Sequence, residues 1–414
     1  MNADLEATMA RGRAAGITHR VAIAVGTDGR TVRLQPDGQE VVSFAGCGYL
    51  ALERDPRLVN GAIDAIHRCG VSFGASRCFV TTPMYAEAEA LLAQVFDRPV
   101  VLAGSTTLAH GAALPILLDA ADAVLFDHQV HHSVQVALAS LAAAGVRSRP
   151  VAHADFEALE SGIRDAVARG ARRIWYCADG VYSMFGDRLR IGSLGALMHR
   201  YPQLHAYLDD AHGMSWCGPR GAGSVFDPRL PPDRTVVATS LSKGFGAGGG
   251  AIVVPDLLTK HRIENLGPSL MFSIQLPPPV LGAIRASAAI HASPEIIGLQ
   301  RTVADRVAFA RARLVADPAV AARLPILDPA PTPIQYVVLG DEATTIGVAR
   351  RLLDQGLLVN PVAYPAVPRG SAGIRFTVTR AHTEADLARL IDAIAVEVRA
   401  LGELRAPRRF SRVA

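Results

Sequence analysis

The chain has 414 residues and a mass of 43.7 kDa, a length that predicts two domains. Half of the residues are hydrophobic and 19% are charged, which excludes a disordered or fibrous chain. The formal net charge of +4 is small and the basic residues are scattered, so nucleic acid is not the expected partner. The sequence shows no apolar leader and no run of about 18 apolar residues, so we expect neither secretion nor a membrane span.

The five cysteines form no C-x-x-C pair and have no metal-ligand spacing with histidines. The sequence therefore predicts neither a zinc site nor a disulfide framework, and we expect no bound metal. An odd number of cysteines is typical of a reducing compartment, which indicates a cytoplasmic protein.

Lysine is unusually rare in this chain. Only Lys243 and Lys260 are lysines among 42 basic residues. Arginine can replace lysine as a surface charge, but it cannot lose its proton and so cannot form a Schiff base. A lysine that persists in this background is therefore a candidate for a chemical role.

From Pro99 onward, short β-branched runs alternate with longer helical patterns. The runs predicted as buried strands cover residues 100–103, 123–126, 146–151, 173–178, 205–208 and 235–239. The patterns predicted as helices cover residues 108–120, 133–144 and 155–169. This alternation predicts an α/β fold with a mostly parallel sheet and helices on both faces. A seventh strand, over 251–254, follows Lys243 too closely for a crossover helix, so we expect it to pair antiparallel.

A smaller α/β unit follows the triple proline at 277–279 and a long helical pattern over 280–316. Its predicted strands and helices cover residues 334–339, 345–355, 357–359, 374–378 and 383–401. We predict an N-terminal segment, residues 1–55, that joins the small domain, a large domain over 56–295 and a small C-terminal domain over 296–414.

Polar side chains follow most of the predicted strands. Ligands of open parallel sheets bind at the carboxyl ends of the strands, so these residues are candidates for a binding site. They are Gly104, Ser105, Thr106, Asp127, His131, residues 179–183, Asp209, His212, Ser240, Ser242 and Lys243.

The turn at Gly104, Ser105 and Thr106 lies where a strand gives way to a helix. Free backbone N–H groups and the helix dipole suit a phosphate there, and the two hydroxyls can add hydrogen bonds. The alternative is a Ser/Thr helix cap without a ligand.

Asp209 ends a hydrophobic strand, where a carboxylate needs a partner to stay ionised. It is placed to hold a proton on a pyridine nitrogen. The protonated ring is the electron sink of pyridoxal phosphate chemistry, and His212 would then reach the phenolic oxygen of that ring. The alternatives are a salt bridge at the strand end and a two-ligand metal site.

Lys243 lies between a buried strand and a glycine-rich loop, a setting that suits a Schiff-base amine. Lys260 lies among polar residues and is interpreted as a solvated surface charge. The glycines over 244–249 also match a dinucleotide-binding string, but no long helix follows them, as that motif requires. The histidines over 127–132 have no third ligand at helical spacing that would indicate a metal site, and one of them is suited to stacking on an aromatic cofactor.

Together these residues resemble the α-oxoamine synthases, pyridoxal phosphate enzymes of fold type I, over residues 43–400. The most specific motifs lie at 209–213, 218–224 and 239–246, with support from Asp127 with His131 and Ser133, residues 181–187 and Phe272-Ser273. The resemblance implies a large domain with a mostly parallel seven-stranded sheet and a smaller α/β C-terminal domain.

The resemblance also implies a role for each candidate residue. Lys243 would carry the cofactor, Asp209 would pair with the pyridine nitrogen, His212 with the phenolic oxygen, and His131 would stack on the ring. The remaining cofactor contacts are assigned to Ser105, Thr106, Ser183, Ser240 and Ser273. Arg375 matches the arginine that binds the amino-acid carboxylate, a task suited to a bidentate guanidinium, with Tyr49 and Cys47 beside the substrate.

The implied protein is a homodimeric acyltransferase that condenses a small L-amino acid with an acyl thioester, on coenzyme A or a carrier protein, with loss of carbon dioxide. Another fold type I reaction, such as transamination or aldol cleavage, and an inactive binding protein of the same fold are the alternatives. Cys47, Gly48, Tyr85, Ser105, Ile274 and Ala363 depart from the pattern of the family. The departures lie around the substrate, so the resemblance leaves both substrates open.

Overall fold

Strands and helices alternate through most of the computed structural model, which describes residues 2–325 and 331–402, with side chains from residue 5 onward. The strands are β1 (Val21–Ala24), β2 (Thr31–Gln35), β3 (Glu40–Ser43), β4 (Val100–Ala103), β5 (Ala123–Asp127), β6 (Arg147–Val151), β7 (Ile174–Asp179), β8 (Leu204–Asp209), β9 (Thr235–Ser240), β10 (Gly250–Val253), β11 (Ile334–Gly340), β12 (Leu357–Leu358), β13 (Asn360–Val362) and β14 (Ala372–Thr377).

The helices connect these strands and cover the faces of the sheets. They are α1 (Asn2–Ala14), α2 (Pro56–Cys69), α3 (Pro83–Phe96), α4 (Thr106–Leu117), α5 (His132–Ser140), α6 (Phe156–Ala168), α7 (Ile191–Arg200), α8 (Leu257–Leu266), α9 (Pro268–Met271), α10 (Pro278–Ala292), α11 (Glu295–Ala316), α12 (Pro318–Ala321), α13 (Glu342–Asp354) and α14 (Glu384–Ala400).

The larger of two compact units, residues 52–182 and 188–300, is built on a seven-stranded sheet. The strand order is β4-β10-β9-β8-β7-β5-β6, and β10 alone runs antiparallel to its neighbours among the described strands of this sheet. Every residue of β7 and β9 is buried, because helices cover both faces. The predicted fold is confirmed, including the antiparallel pairing of β10.

Several strands extend one residue beyond the hydrophobic runs that predicted them. Strands β5, β7, β8 and β9 end on Asp127, Asp179, Asp209 and Ser240. The backbone ladder continues through these polar residues, whereas a hydrophobic pattern ends before them. The extension places four polar side chains at the carboxyl edge of the sheet.

The long helical pattern over 280–316 is two helices, so the expectation of one continuous helix is wrong. α10 ends at Ala292 and α11 begins at Glu295. Ser293 between them is extended, with φ −93° and ψ 162°, because the following Pro294 disfavours helical backbone at the residue before it.

The smaller unit comprises residues 1–51, 183–187 and 301–414, of which residue 1, residues 326–330 and residues 403–414 lie outside the described residues. One of its sheets has the order β1-β2-β3-β12 and the other β11-β14-β13. The parallel pairing of β3 with β12 joins the N-terminal segment to the C-terminal part of the chain within this unit. Residues 183–187, which fall inside the predicted large domain, cluster here.

Lys260 is not the solvated surface lysine that its polar neighbours suggested. Its Nζ pairs with Glu89 and lies 3.1 Å from Glu264 Oε1, and it also donates to the backbone carbonyl of Val100. These contacts join α3, α8 and β4 and give Lys260 a structural role.

Among residues 2–325 and 331–402, no helix combines the length and the hydropathy needed to cross a membrane.

Two buried histidines predict how stability depends on pH. Burial lowers the pKa of His291 and of His382 to about 4, whereas the pKa of a histidine in an unfolded chain is about 6.5. The unfolded chain therefore binds more protons between these values, and we expect each residue to cost on the order of 3 kcal/mol of unfolding free energy as the pH falls from about 6.5 to 4. Urea unfolding across this range measures the loss.

The matched variants are His291→Gln and His382→Gln, with the exposed His67→Gln as control. Each buried variant is expected to flatten the pH dependence of unfolding, and the control is expected to leave it as in wild type. A wild-type slope in both buried variants would contradict the prediction.

Candidate active site

Lys243 lies in the turn between β9 and β10, with its amine directed at a histidine. Its Nζ is 2.8 Å from Nε2 of His212, which follows β8. The turn requires glycine at position 246, where φ is +78° and a Cβ would lie within 2.8 Å of the backbone of Glu53. The structure brings together Lys243 and His212, two of the candidates that follow the predicted strands.

Asp209, at the end of β8, is 4% exposed and has donors on both carboxylate oxygens. Ala211 N–H donates to Oδ1 at 3.0 Å, and Nε2 of His110 lies 3.1 Å from Oδ2. Burial raises the pKa of Asp209, but the His110 hydrogen bond and the positive charge of Lys243 outweigh it and hold that pKa below its usual range. Asp209 is therefore an ionised carboxylate in the core.

His110 is a partner of the Asp209 carboxylate that sequence reasoning missed. It lies on α4, is fully buried, and bonds through Nδ1 to the hydroxyl of Tyr207 at 2.8 Å. The sequence offered two indications that could have identified His110. It is a histidine inside an apolar helical pattern, and a carboxylate at the position of Asp209 needs a partner.

Asp179 lies directly beside Asp209 on the neighbouring strand. The two residues are register partners of β7 and β8. Burial and the negative charge of Asp209 raise the pKa of Asp179, which disfavours its charged form. Its Oδ1 accepts a hydrogen bond from the backbone N–H of His131 at 3.0 Å. This contact fixes the backbone of His131 at the same sheet edge, while its ring is exposed.

The predicted phosphate turn begins α4. Ser105 caps the helix, with Oγ accepting from Leu108 N–H at 3.1 Å, and the hydroxyl of Thr106 donates to the carbonyl of Thr239 at 3.3 Å. A Cβ at Gly250 would lie 2.6 Å from the nitrogen of Thr106, so only glycine lets β10 begin against this turn. The helix dipole and the free N–H groups of a twelve-residue helix therefore face the same edge as Lys243.

Ser240 and Ser273, the other predicted hydroxyls of the larger unit, already make local hydrogen bonds. The Ser240 hydroxyl oxygen accepts from Ser242 N–H at 3.2 Å, next to the turn that carries Lys243. The Ser273 hydroxyl, which follows the end of α9, donates to the carbonyl of Ser269 in that helix. Contact of either residue with the cofactor stays a prediction.

A second group of predicted residues lies in the smaller unit, around Arg375 of β14. Arg375 is 5% exposed; its Nε donates to the carbonyl of Ser183 at 2.7 Å, and its Nη2 lies 3.8 Å from Cys47 Sγ. Tyr49 is fully buried and interacts electrostatically with both Cys47 and Arg375. In the described ranges 2–325 and 331–402, no carboxylate forms an ion pair with Arg375. The structure thus unites Arg375, Cys47, Tyr49 and Ser183, with Ser183 acting through its backbone.

The donor set of the larger unit fits pyridoxal phosphate. An amine beside an imidazole, a buried ionised carboxylate and a helix N-terminus with small hydroxyls match the aldehyde, the pyridine nitrogen and the phosphate of that cofactor. Within residues 2–325 and 331–402, no three His, Cys, Asp or Glu side chains are grouped to hold a metal ion.

Comparison with known proteins gives the same class. The family model for aminotransferase class I and II matches residues 48–394. The 8-amino-7-oxononanoate synthase of Geobacter sulfurreducens is 32% identical over 385 residues, covering 92% of this chain and 95% of that protein. That of Dechloromonas aromatica is 31% identical over 395 residues, covering 94% and 98%. A serine palmitoyltransferase solved with pyridoxal phosphate superposes with a TM-score of 0.85 at 20% identity, covering 97% and 98%.

The sheet topology is that of a fold type I pyridoxal phosphate enzyme. The chain belongs to the aminotransferase class I and II family and, within it, to the α-oxoamine synthases. It is therefore a pyridoxal-phosphate-dependent acyltransferase, of the class that condenses an amino acid with an acyl thioester.

Proposed function

We propose that this enzyme condenses a small L-amino acid with an acyl thioester, carried by coenzyme A or by a carrier protein, to give an α-amino ketone. The new bond joins the amino-acid α-carbon to the thioester carbonyl carbon. The thiol leaves with its electron pair, and the amino-acid carboxylate leaves as carbon dioxide. Two curated relatives named as 8-amino-7-oxononanoate synthases support this reaction type.

The observation that carries the proposal is the buried guanidinium of Arg375. Its contacts within the described ranges 2–325 and 331–402 are a carbonyl, a thiol and a tyrosine, all without a carboxylate to pair with it. A buried cation costs free energy unless an anion neutralises it. We assign that anion to the substrate carboxylate, which the planar guanidinium can bind through two hydrogen bonds.

The remaining residues are assigned by their chemistry. When bound, pyridoxal phosphate supplies an electron sink for negative charge at the substrate α-carbon. Lys243 carries the cofactor and then acts as the general base for the α-proton, with His212 at 2.8 Å to accept a hydrogen bond from its amine. Asp209 would keep a proton on the ring nitrogen, and His131 would stack on the ring.

The remaining polar residues of the site complete the assignment. Ser105, Thr106 and Ser240 hold the phosphate at the start of α4, while Ser183 and Ser273 support the cofactor. Cys47 and Tyr49 border the amino acid beside Arg375, and the small Cys47 side chain leaves space for a substrate side chain.

A homodimer and a cytoplasmic location are part of the proposal. Large apolar side chains are exposed on the single chain, with Phe79 at 90% and Phe272 at 85%, and burial against a second copy would remove them from water. All five cysteines are unpaired, as in proteins of a reducing compartment.

A matrix assay tests the reaction. A panel of amino acids is paired with a panel of acyl thioesters, and free thiol and carbon dioxide are measured together. The proposal expects equal amounts of both, from one preferred pair. Transfer of the amino group to a keto acid, or carbon–carbon cleavage without thiol release, would refute it.

Arg375→Ala is expected to raise the KM for the amino acid about 100-fold or more, because it removes one partner of a buried charge pair. Arg375→Lys keeps the positive charge but loses the planar guanidinium with its paired N–H donors. Its KM for the amino acid should therefore lie between those of wild type and Arg375→Ala. Added guanidinium ion should restore part of the activity of Arg375→Ala. The exposed Arg33→Ala, in the same unit, is the matched control and is expected to leave both KM values unchanged. Unchanged KM in Arg375→Ala would remove Arg375 from the amino-acid site.

A further inference from the structure

His110 joins two residues of one strand face. Tyr207 and Asp209 are two positions apart on β8, so their side chains point to the same face of the sheet. His110 comes from α4 and reaches both, with Nδ1 2.8 Å from the Tyr207 hydroxyl and Nε2 3.1 Å from Asp209 Oδ2. All three side chains are buried, and His110 and Tyr207 are fully so. The motif that indicated Asp209 in the sequence contains neither of the other two.

The contacts determine where the protons lie. An ionised Asp209 can only accept hydrogen bonds, so Nε2 of His110 carries a proton and donates it to Oδ2. Burial raises the pKa of Tyr207, so its hydroxyl keeps its proton and can donate to Nδ1 of His110 when that nitrogen carries none. The three residues form a chain of donors from Tyr207 through His110 to Asp209, in which each ring nitrogen has one partner.

This chain acts on the carboxylate that the proposed function assigns to the ring nitrogen. A hydrogen bond to the charged form of a carboxylate makes it a weaker base. When a carboxylate and a pyridine nitrogen share a proton, the weaker the carboxylate base, the more the proton stays on nitrogen. Without the His110 donor, Asp209 is a buried carboxylate with one backbone donor, Ala211 N–H, and it competes better for the proton.

We propose that His110, its tautomer fixed by Tyr207, is a positioning residue that holds Asp209 ionised, so that the proton stays on the ring nitrogen of the cofactor. The inference rests on the proposed role of Asp209 and adds the residue through which the protein enforces it. His110 itself acts through Asp209 and needs no contact with the cofactor or the substrate.

Nitrogen NMR on the holoenzyme tests this directly. Apoprotein is loaded with pyridoxal phosphate labelled with nitrogen-15 in the ring, because the chemical shift of that nitrogen reports whether it is protonated. We expect a protonated signal in wild type and an unprotonated one in Asp209→Asn. His110→Phe and His110→Leu, which lack a donor, should move the signal most of the way to the Asp209→Asn value and lower kcat about 10- to 100-fold.

Two further variants separate this effect from a loss of packing. His110→Gln offers an amide N–H to Asp209 and should restore at least half of the shift. Tyr176→Phe removes a buried hydroxyl from the neighbouring strand β7, where it interacts with Asp127, and should keep the wild-type signal. The two variants that lack a hydrogen-bond donor, His110→Phe and His110→Leu, are the donorless variants, and their side chains differ in shape. If one of them fails to fold, the other still tests the inference.

The outcomes separate the inference from the function on which it rests. A wild-type signal in a folded donorless variant, with an unprotonated signal in Asp209→Asn, overturns the role of His110 and leaves the proposed function intact. A protonated signal in Asp209→Asn overturns the role of Asp209 itself. A shift in Tyr176→Phe equal to that of His110→Phe would also overturn the inference, because it would show a general response to lost core contacts.

Discussion

Lys243→Ala is expected to lower turnover by about 10⁴-fold or more, because in the proposed function the same amine carries the cofactor and serves as the general base. Among the 42 basic residues, only Lys260 has the same chemistry, and its amine is bound to Glu89 and Glu264. Arginine cannot replace Lys243 in either role, since it stays protonated. The visible absorption of the bound cofactor should disappear with the activity.

Borohydride reduction of the wild-type holoenzyme, followed by peptide mass spectrometry, locates the attachment. The pyridoxyl group is expected on the peptide that contains Lys243. Lys260→Arg is the matched control: it keeps a positive charge beside Glu89 and should leave both the labelled peptide and turnover as in wild type. A label on Lys260 would overturn the assignment.

The candidate site residues of the larger unit could be predicted from the sequence because they follow strands that are recognisable from their hydrophobicity. The runs before Asp209 and Lys243 are fully or almost fully buried, and such runs are recognisable as strands from hydrophobicity alone. The polar residue that follows each run then lies at the binding edge of a parallel sheet. The motifs at 209–213 and 239–246 added the chemistry of each position.

His110 was not predictable in the same way. Its role depends on where α4 packs against β8, which is a tertiary contact 99 residues apart in sequence. A histidine on the apolar face of a predicted helix is ordinarily read as a core residue. The contacts of Arg375 could not be predicted from the sequence for the same reason, since Cys47 lies 328 residues away in the chain.

The N-terminal strands were missed for a different physical reason. All four residues of β1 are exposed, so no buried face imposes the two-residue period that identifies a strand. β12, which lies within the run predicted over 357–359, has only two residues, and its parallel pairing with β3 determines the sheet to which it belongs. A short exposed strand such as β1 is specified by its partner rather than by its own pattern.

Asp209→Asn is expected to keep the cofactor and lose about 10²- to 10³-fold in turnover. In the proposed function, the phosphate turn and Lys243 still bind the cofactor in this variant, and the amide oxygen can still accept a hydrogen bond from His110. The negative charge is gone, however, and a neutral amide does not hold a proton on the ring nitrogen, so negative charge at the α-carbon loses its electrostatic stabilisation. Cofactor content is measured after gel filtration, and turnover is measured by thiol release.

Asp210→Asn is the matched control, because it makes the same substitution one residue later at a fully buried site. Burial raises the pKa of Asp210 to about 7, and its oxygens bind the hydroxyl and N–H of Ser224 and the N–H of Val225. An asparagine retains those bonds: its oxygen can accept both N–H groups and its amide can donate to the hydroxyl. Turnover is therefore expected to stay within about threefold of wild type. Equal losses in both variants would indicate a packing defect, and near-wild-type turnover in Asp209→Asn would show that the ring nitrogen is protonated without this carboxylate.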